Sequence, residues 1–215
     1  MKYLNKNTLS EQIYQILKDD IISQKIKCGE KLTLKNLKEQ FDVSSTPVRE
    51  ALTRLSKNGL VTYYSNIGVK VIELDNNDFR ELYEFTREMD TLSVDLAMRN
   101  DNYDNLILDL GKNLRDNQFY LESNQLDKYI ETSENFHIIF YNNCNNTRLQ
   151  ASSERTRYQL SICCLKYECN LENQRKLIEE HTKIYNAVLN KDIYLARREM
   201  YQHLTNSYDL LLESL

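Results

Sequence analysis

The sequence predicts a mainly α-helical chain of two domains, with one short β-hairpin close to the boundary between them. Three of the four glycines and the only proline lie in the first 70 residues, so turn signals are concentrated there. From about residue 75 onward, apolar residues recur at helical spacing with almost no helix breakers, and polar turns at 99–102, 142–146 and 190–192 separate successive helices. We therefore expect domains over 1–74 and 75–215.

Three helices are predicted ahead of the hairpin. The first covers residues 9–23, where apolar residues fall on one face. Thr33 can cap a second helix after a glycine break. A third begins at Ser45 or Thr46 and carries Pro47 in its first turn, where the missing N–H of proline removes no helical hydrogen bond.

Two short β-prone runs follow the third helix. Residues 60–64 and 69–72 alternate or cluster apolar side chains and flank the turn 65–68. Three helices followed by a hairpin define a winged helix-turn-helix. The remaining 75–215 are expected to be all-α.

The charge distribution differs between the two domains. Residues 1–72 contain 12 Lys and Arg against 7 Asp and Glu, whereas residues 73–215 contain 16 against 25. A basic N-terminal domain joined to an acidic C-terminal domain is typical of a DNA-binding protein whose second domain has another function. Chance variation of surface charge is the alternative explanation. The chain has no apolar stretch of membrane-spanning length and no signal peptide, so a cytoplasmic location is expected.

The five cysteines show no paired spacing of the kind that builds a zinc cage. We interpret them as reduced, mainly structural thiols. A redox sensor formed by Cys163, Cys164 and Cys169 is the alternative.

The segment CGEKLTLKNLKEQFDVSSTPVREALTRLSKNGLV, followed by the IGVKV wing, resembles the N-terminal domain of the GntR family of bacterial regulators. The resemblance implies that the third helix lies in the major groove, with Arg49 reading a base edge and Ser44 and Thr46 holding phosphates. Arg54 matches a second basic position, either a phosphate contact or a solvated charge. The implied DNA-binding residues are Lys35, Ser44, Ser45, Thr46, Arg49, Arg54, Asn66 and Gly68.

Two positions depart from the usual pattern of that family. An arginine usually stands where this chain has Ser45, and a basic residue often stands at the wing tip near Asn66. Both changes remove positive charge from the DNA-facing surface, so we expect an operator that differs from those of typical relatives.

The second domain resembles the FCD domain of the FadR subgroup of that family, an antiparallel helical bundle around an effector cavity. The matching stretches are FTREMDTLSVDLAM, SENFHIIFYNNCNN and EEHTKIYNAVLNKDIYLARREMYQHL. The only three histidines, His137, His181 and His203, fall where metal-binding members place imidazole ligands. This implies a site for a divalent transition metal such as Zn or Ni.

The fourth ligand of those members is an aspartate one turn before the first histidine, where this chain has Ser133. A neutral hydroxyl is a poor ligand, so affinity or metal selectivity should change. Glu134 is adjacent but lies about 100° around the helix. The resemblance also implies that Arg87 clamps a carboxylate effector, although an ion pair with Glu84 or Asp90 on its own helix would equally explain this arginine.

Three functions remain open from these residues. The first is a homodimeric transcription regulator, a repressor released by a small organic acid and needing no membrane contact. The second is a metalloenzyme with a tris-histidine centre, for which no catalytic motif is present. The third is a constitutive DNA-binding protein with an unused pocket.

Overall fold

A computed structural model describes residues 8–64 and 68–214, apart from the side chain of Lys166. Asn66, one of the predicted DNA contacts, lies outside these residues. The chain divides into two units between Leu74 and Asp75, and each unit is described by itself. The predicted fold class, mainly α with a winged helix-turn-helix followed by a helical domain, is confirmed.

The first unit contains three helices and three strands in the described residues. In chain order these are α1 (Leu9–Ile22), β1 (Lys31–Leu32), α2 (Leu34–Phe41), α3 (Ser45–Lys57), β2 (Val61–Tyr64) and β3 (Gly68–Val71). Thr8 caps α1 by accepting a hydrogen bond from the backbone N–H of Glu11 at 3.2 Å, and Thr33 caps α2 in the same way through Asn36. Pro47 is the third residue of α3, as predicted.

Strand β1 was not predicted. It pairs antiparallel with β3, which also pairs with β2, so the hairpin becomes a three-stranded sheet with β3 in the centre. A strand of two residues is too short to show the alternation of apolar and polar side chains by which a strand is predicted. The pairing depends on Gly29, whose positive φ of 79° turns the chain so that its N–H reaches the carbonyl of Val71 at 3.2 Å.

The core of the first unit fixes the orientation of α3. Its apolar face is fully buried through Val48, Leu52 and Leu55, and the helix packs against the buried side chains of α1, including Leu17. Because one face of α3 is committed to this core, its opposite face is turned to solvent.

The second unit contains six helices in the described residues: α4 (Asn76–Met98), α5 (Tyr103–Glu122), α6 (Leu126–Asn143), α7 (Thr147–Glu168), α8 (Leu171–Leu189) and α9 (Ile193–Glu213). The three predicted polar turns separate α4 from α5, α6 from α7 and α8 from α9. Two further breaks, after α5 and α7, lack glycine and proline. Asn124 adopts a positive φ of 54° at the first, and Asn170 caps α8 at the second.

The helices of the second unit pack around one large apolar cluster. Helices α5 and α6, and α8 and α9, are joined by short turns and pack side by side, so each pair is antiparallel. Helix α4 packs against α9 and α6. The cluster includes Val94, Leu110, Phe140, Ile184 and Met200, all fully buried. None of the described helices is both long and apolar enough to cross a membrane.

Candidate functional site

The N-terminal half of α3 and its cap carry four of the residues predicted to contact DNA: Ser44, Ser45, Thr46 and Arg49. Ser44 is the N-cap residue and makes no side-chain capping bond, so its hydroxyl is available to another partner. Thr46 and Arg49 are exposed, and the Arg49 guanidinium makes no hydrogen bond or ion pair within the described residues. Ser45 is half-buried. The positive end of the helix dipole and an available guanidinium therefore share one surface.

Arg54, predicted to be either a phosphate contact or a solvated charge, has a side chain that is 45% exposed and makes contacts within its own unit. Its guanidinium forms an ion pair with Glu11 and lies over the ring of Tyr14, with the guanidinium carbon 3.9 Å from the ring centroid. Both partners lie on α1, so Arg54 ties α3 to α1. Lys35 is exposed on α2, and Gly68 opens β3 with a φ of 94°.

The three histidines, predicted to converge, are brought together in the second unit. His137 on α6, His181 on α8 and His203 on α9 are 4%, 1% and 3% exposed. Their ring centroids lie 4.5–5.1 Å apart, and the Nε2 atoms of His181 and His203 are separated by 3.2 Å. The ring of Phe136 stacks on His181 at 4.1 Å. Three separate helices thus direct imidazoles at one point.

Two carboxylates fix the orientation of two of these rings. The Nδ1 of His137 donates to Asp90 at 2.7 Å, and the Nδ1 of His203 donates to Glu180 at 2.8 Å. Because a carboxylate only accepts, each ring carries its proton on Nδ1 and leaves Nε2 with a lone pair. Asn206 donates to the second oxygen of Glu180 at 2.6 Å. A carboxylate behind an imidazole is the arrangement that orients histidine ligands in metal sites.

Asp90 is also the centre of a buried ion pair. It is fully buried on α4 and accepts hydrogen bonds from Arg157 of α7 and Tyr141 of α6. The guanidinium of Arg157 extends to Glu134, 3.4 Å away. The position of His137 therefore depends on a charged network that joins three helices.

Ser133 and Glu134 both lie at the cavity beside the histidines. Ser133 is 4% exposed and precedes His137 by one turn, as the sequence predicts. Glu134 was expected to point away, and it does contact Arg157 and Cys164 rather than the imidazoles, but it still lines the cavity. The cavity is about 10 Å³, enough for a single water molecule.

Arg87, predicted to clamp a carboxylate effector, does not line this cavity in the structure. Its guanidinium lies over the ring of Tyr201 at 4.5 Å and donates to Thr205 at 3.4 Å, both on α9. Neither Glu84 nor Asp90 pairs with it within the described residues. The arginine that does line the cavity is Arg157.

Sequence reasoning did not place five of the neighbouring residues beside the histidines. These were Asp90, Arg157, Cys164, Glu168 and Glu180, all buried. One signal was available: charged residues rarely lie on the apolar face of a helix unless they are paired. Asp90 sits between Thr86 and Val94 on the buried face of α4, and a helical-wheel reading would have marked it.

Burial lowers the pKa values of His137 and His181 well below the ordinary histidine range, aided by neighbouring Arg157 and His203. Because each ring binds a proton more readily in the unfolded chain, the folded state loses stability as the pH falls below the pKa of the unfolded chain. We therefore expect His181→Gln, in chelator-treated protein, to flatten the loss of unfolding free energy below pH about 6.5 by up to about 1.4 kcal/mol per pH unit. Urea unfolding of both chains at several pH values measures this, and equal slopes would contradict it.

Comparison with known proteins places these features in a class. Residues 9–71 match the family described as bacterial regulatory proteins, gntR family, and residues 81–206 match the FCD domain. The chain is 28% identical over 203 residues to the HTH-type transcriptional repressor RspR of Escherichia coli (strain K12), covering 91% of this chain and 86% of that protein.

A second relative, the uncharacterized HTH-type transcriptional regulator YdhC of Bacillus subtilis (strain 168), is 24% identical over 201 residues, covering 93% of this chain and 89% of that protein. The solved structure of E. coli McbR/YncC has the same fold, with a TM-score of 0.82 at 24% identity over 96% of this chain and 98% of that one.

The winged helix-turn-helix and the helical domain together define a DNA-binding transcription regulator rather than an enzyme. The chain belongs to the GntR family, in the group that carries an FCD domain.

Proposed function

We propose that this regulator is a homodimeric repressor that holds a divalent transition metal on His137, His181 and His203 and is released from operator DNA by a small ligand. The observation that carries the proposal is the convergence of three buried imidazoles from three helices, two of them anchored through Nδ1 by carboxylates. The relatives named as repressors and regulators support the DNA-binding part.

The donor set suits such a metal. Nitrogens that share one zinc ion at roughly 2.0–2.1 Å lie roughly 3.3 Å apart in a tetrahedral site, close to the 3.2 Å between the Nε2 atoms of His181 and His203. In the neutral rings the Nε2–H of His181 donates to His203, so ligation requires the His181 proton to leave or to move to Nδ1. Ser133 supplies only a neutral oxygen where a carboxylate would add charge.

A metal held by three imidazoles would offer open coordination positions to water or to a carboxylate. The residues that line the cavity determine which ligands can enter it. Arg157 is the positive group of the cavity, but it is already paired with Asp90. Because the cavity holds about one water molecule, an organic acid enters only if α7 or another wall moves outward.

The first unit supplies the DNA contacts in this proposal. Arg49 reads a base edge from the exposed face of α3, and Ser44 and Thr46 bind phosphates beside the helix N-terminus. Lys35 adds nonspecific attraction. Two such heads in a two-fold dimer read two half-sites together, which gives useful affinity from a short recognition helix.

Metal content is the first measurement. Elemental analysis of untagged full-length protein should give about one ion per chain at this site, with its loss in His181→Ala. Glu180→Gln keeps all three imidazoles and should weaken metal affinity about 10–100-fold, because it removes only the anchor of His203. A variant affinity equal to wild type would show that the carboxylate does not orient a ligand.

Operator-binding measurements on the same proteins distinguish this function from that of a constitutive regulator. Operator affinity should change by at least about fivefold when metal or an organic acid is added to wild type, and by less in His181→Ala. Unchanged affinity across metals and acids would favour constitutive binding with an unused cavity.

A further inference from the structure

A second group of potential ligands lies in the same cavity and contains no histidine. Cys164 and Glu168 are four residues apart on α7 and therefore share one face, and Glu134 meets them from α6. One ligand atom from each of the three residues lies within 4.8 Å of the others, and the Cys164 thiol is 3.4 Å from a Glu134 oxygen.

One atom of this group lacks a partner. Oε2 of Glu168 is buried and makes no hydrogen bond, although the residue is only 3% exposed. A buried carboxylate oxygen with no donor carries a large desolvation cost, which a cation or a proton must offset. The residue lines the cavity, so a ligand in the cavity can reach it.

The balance of charge around the cavity also favours binding of a cation. Two acidic side chains, Glu134 and Glu168, line the cavity together with a single guanidinium, that of Arg157. The Arg157 charge is taken up mainly by Asp90, with the Glu134 contact longer, at 3.4 Å. The Glu134 and Glu168 carboxyl groups therefore share little of the Arg157 charge in a site excluded from water.

We propose that Glu134, Cys164 and Glu168 form a second metal site, which binds a divalent, thiolate-accepting cation such as Zn²⁺ or Co²⁺. A thiolate with two carboxylates suits this class of ion better than Mg²⁺ or Ca²⁺, which take oxygen ligands alone. The proton of the Cys164 thiol is released to solvent as the metal–sulfur bond forms. A cavity of about 10 Å³ excludes an organic cation such as a polyamine.

This site is independent of the proposed histidine site in its donors, although both border one cavity. The histidine site offers nitrogen only, whereas the second site offers one sulfur and carboxylate oxygens. A bound Co²⁺ ion reports the difference, because only a thiolate ligand gives the intense near-ultraviolet charge-transfer absorption. Loss of Co²⁺ binding at one site can therefore be detected whether or not the other site binds Co²⁺.

The test is a Co²⁺ titration of chelator-treated, reduced full-length protein, followed by absorption and by elemental analysis. We expect thiolate charge-transfer absorption in wild type that is lost in Cys164→Ser and retained in His181→Ala. Cys163→Ser is the matched control, since Cys163 is the neighbouring buried thiol and lies outside the cluster. Glu168→Gln preserves shape and should weaken Co²⁺ binding at this site more than about tenfold.

Three outcomes overturn the proposal. The first is wild-type protein that binds Co²⁺ without charge-transfer absorption, which would leave the histidine site intact and the second site absent. The second is absorption that persists in Cys164→Ser, which would assign it to another thiol. The third is an unchanged Co²⁺ affinity in Glu168→Gln, which also decides the question if the cysteine variant fails to fold.

Discussion

Arg49→Ala is expected to weaken binding to the operator by about 1–3 kcal/mol for each half-site and to relax sequence preference at one base position. Arg49 is exposed beside the buried face of α3 that Val48, Leu52 and Leu55 form, and no described residue pairs with its guanidinium. An operator selected from a random duplex pool, then titrated at fixed salt against both proteins and against single-base variants, measures both effects.

Lys57→Ala is the matched control for this change. Lys57 is exposed at the other end of α3, eight residues or roughly 12 Å away, so the variant removes the same charge from the same helix. It should weaken binding to all sequences slightly, through long-range attraction alone. Equal losses in the two variants, with preference unchanged, would mean that Arg49 contributes only its charge.

Arg157→Met is expected to lower the free energy of unfolding of the helical unit by about 3–5 kcal/mol. The substitution leaves Asp90, which is fully buried, with Tyr141 and His137 but without its cationic partner. An unpaired buried charge costs far more than the pair contributes. Urea unfolding followed by far-ultraviolet circular dichroism gives the difference.

A surface pair provides the comparison for that loss. Arg99 binds Asp95 at 2.8 Å but its side chain is 61% exposed, so Arg99→Met should cost much less than Arg157→Met. The double variant Asp90→Asn with Arg157→Met should recover part of the loss, because it removes both charges. A loss in Arg157→Met no larger than in Arg99→Met would show that Asp90 and Arg157 do not form an essential pair.

Much of the fold was predictable because its determinants are local. Thr33 and Pro47 mark helix starts through their own backbone chemistry, and apolar spacing in α1 and α3 reports the buried face. Three features were missed: β1 and the helix breaks at Asn124 and Asn170. Their local signals are weak, because a two-residue strand exists only through its partner β3 and both breaks use asparagine rather than glycine or proline.

The sequence by itself determined the winged helix-turn-helix followed by a helical domain, the helix that carries Arg49 and, through resemblance, the convergence of the three histidines. The tertiary structure alone decided what surrounds them: Arg54 pairs within its own unit, Arg87 lies outside the cavity, and Arg157 lies inside it. The reason is physical. Caps and helical faces are set by residues a few positions apart, whereas the partner of a buried charge is chosen by packing between helices that are distant in the chain.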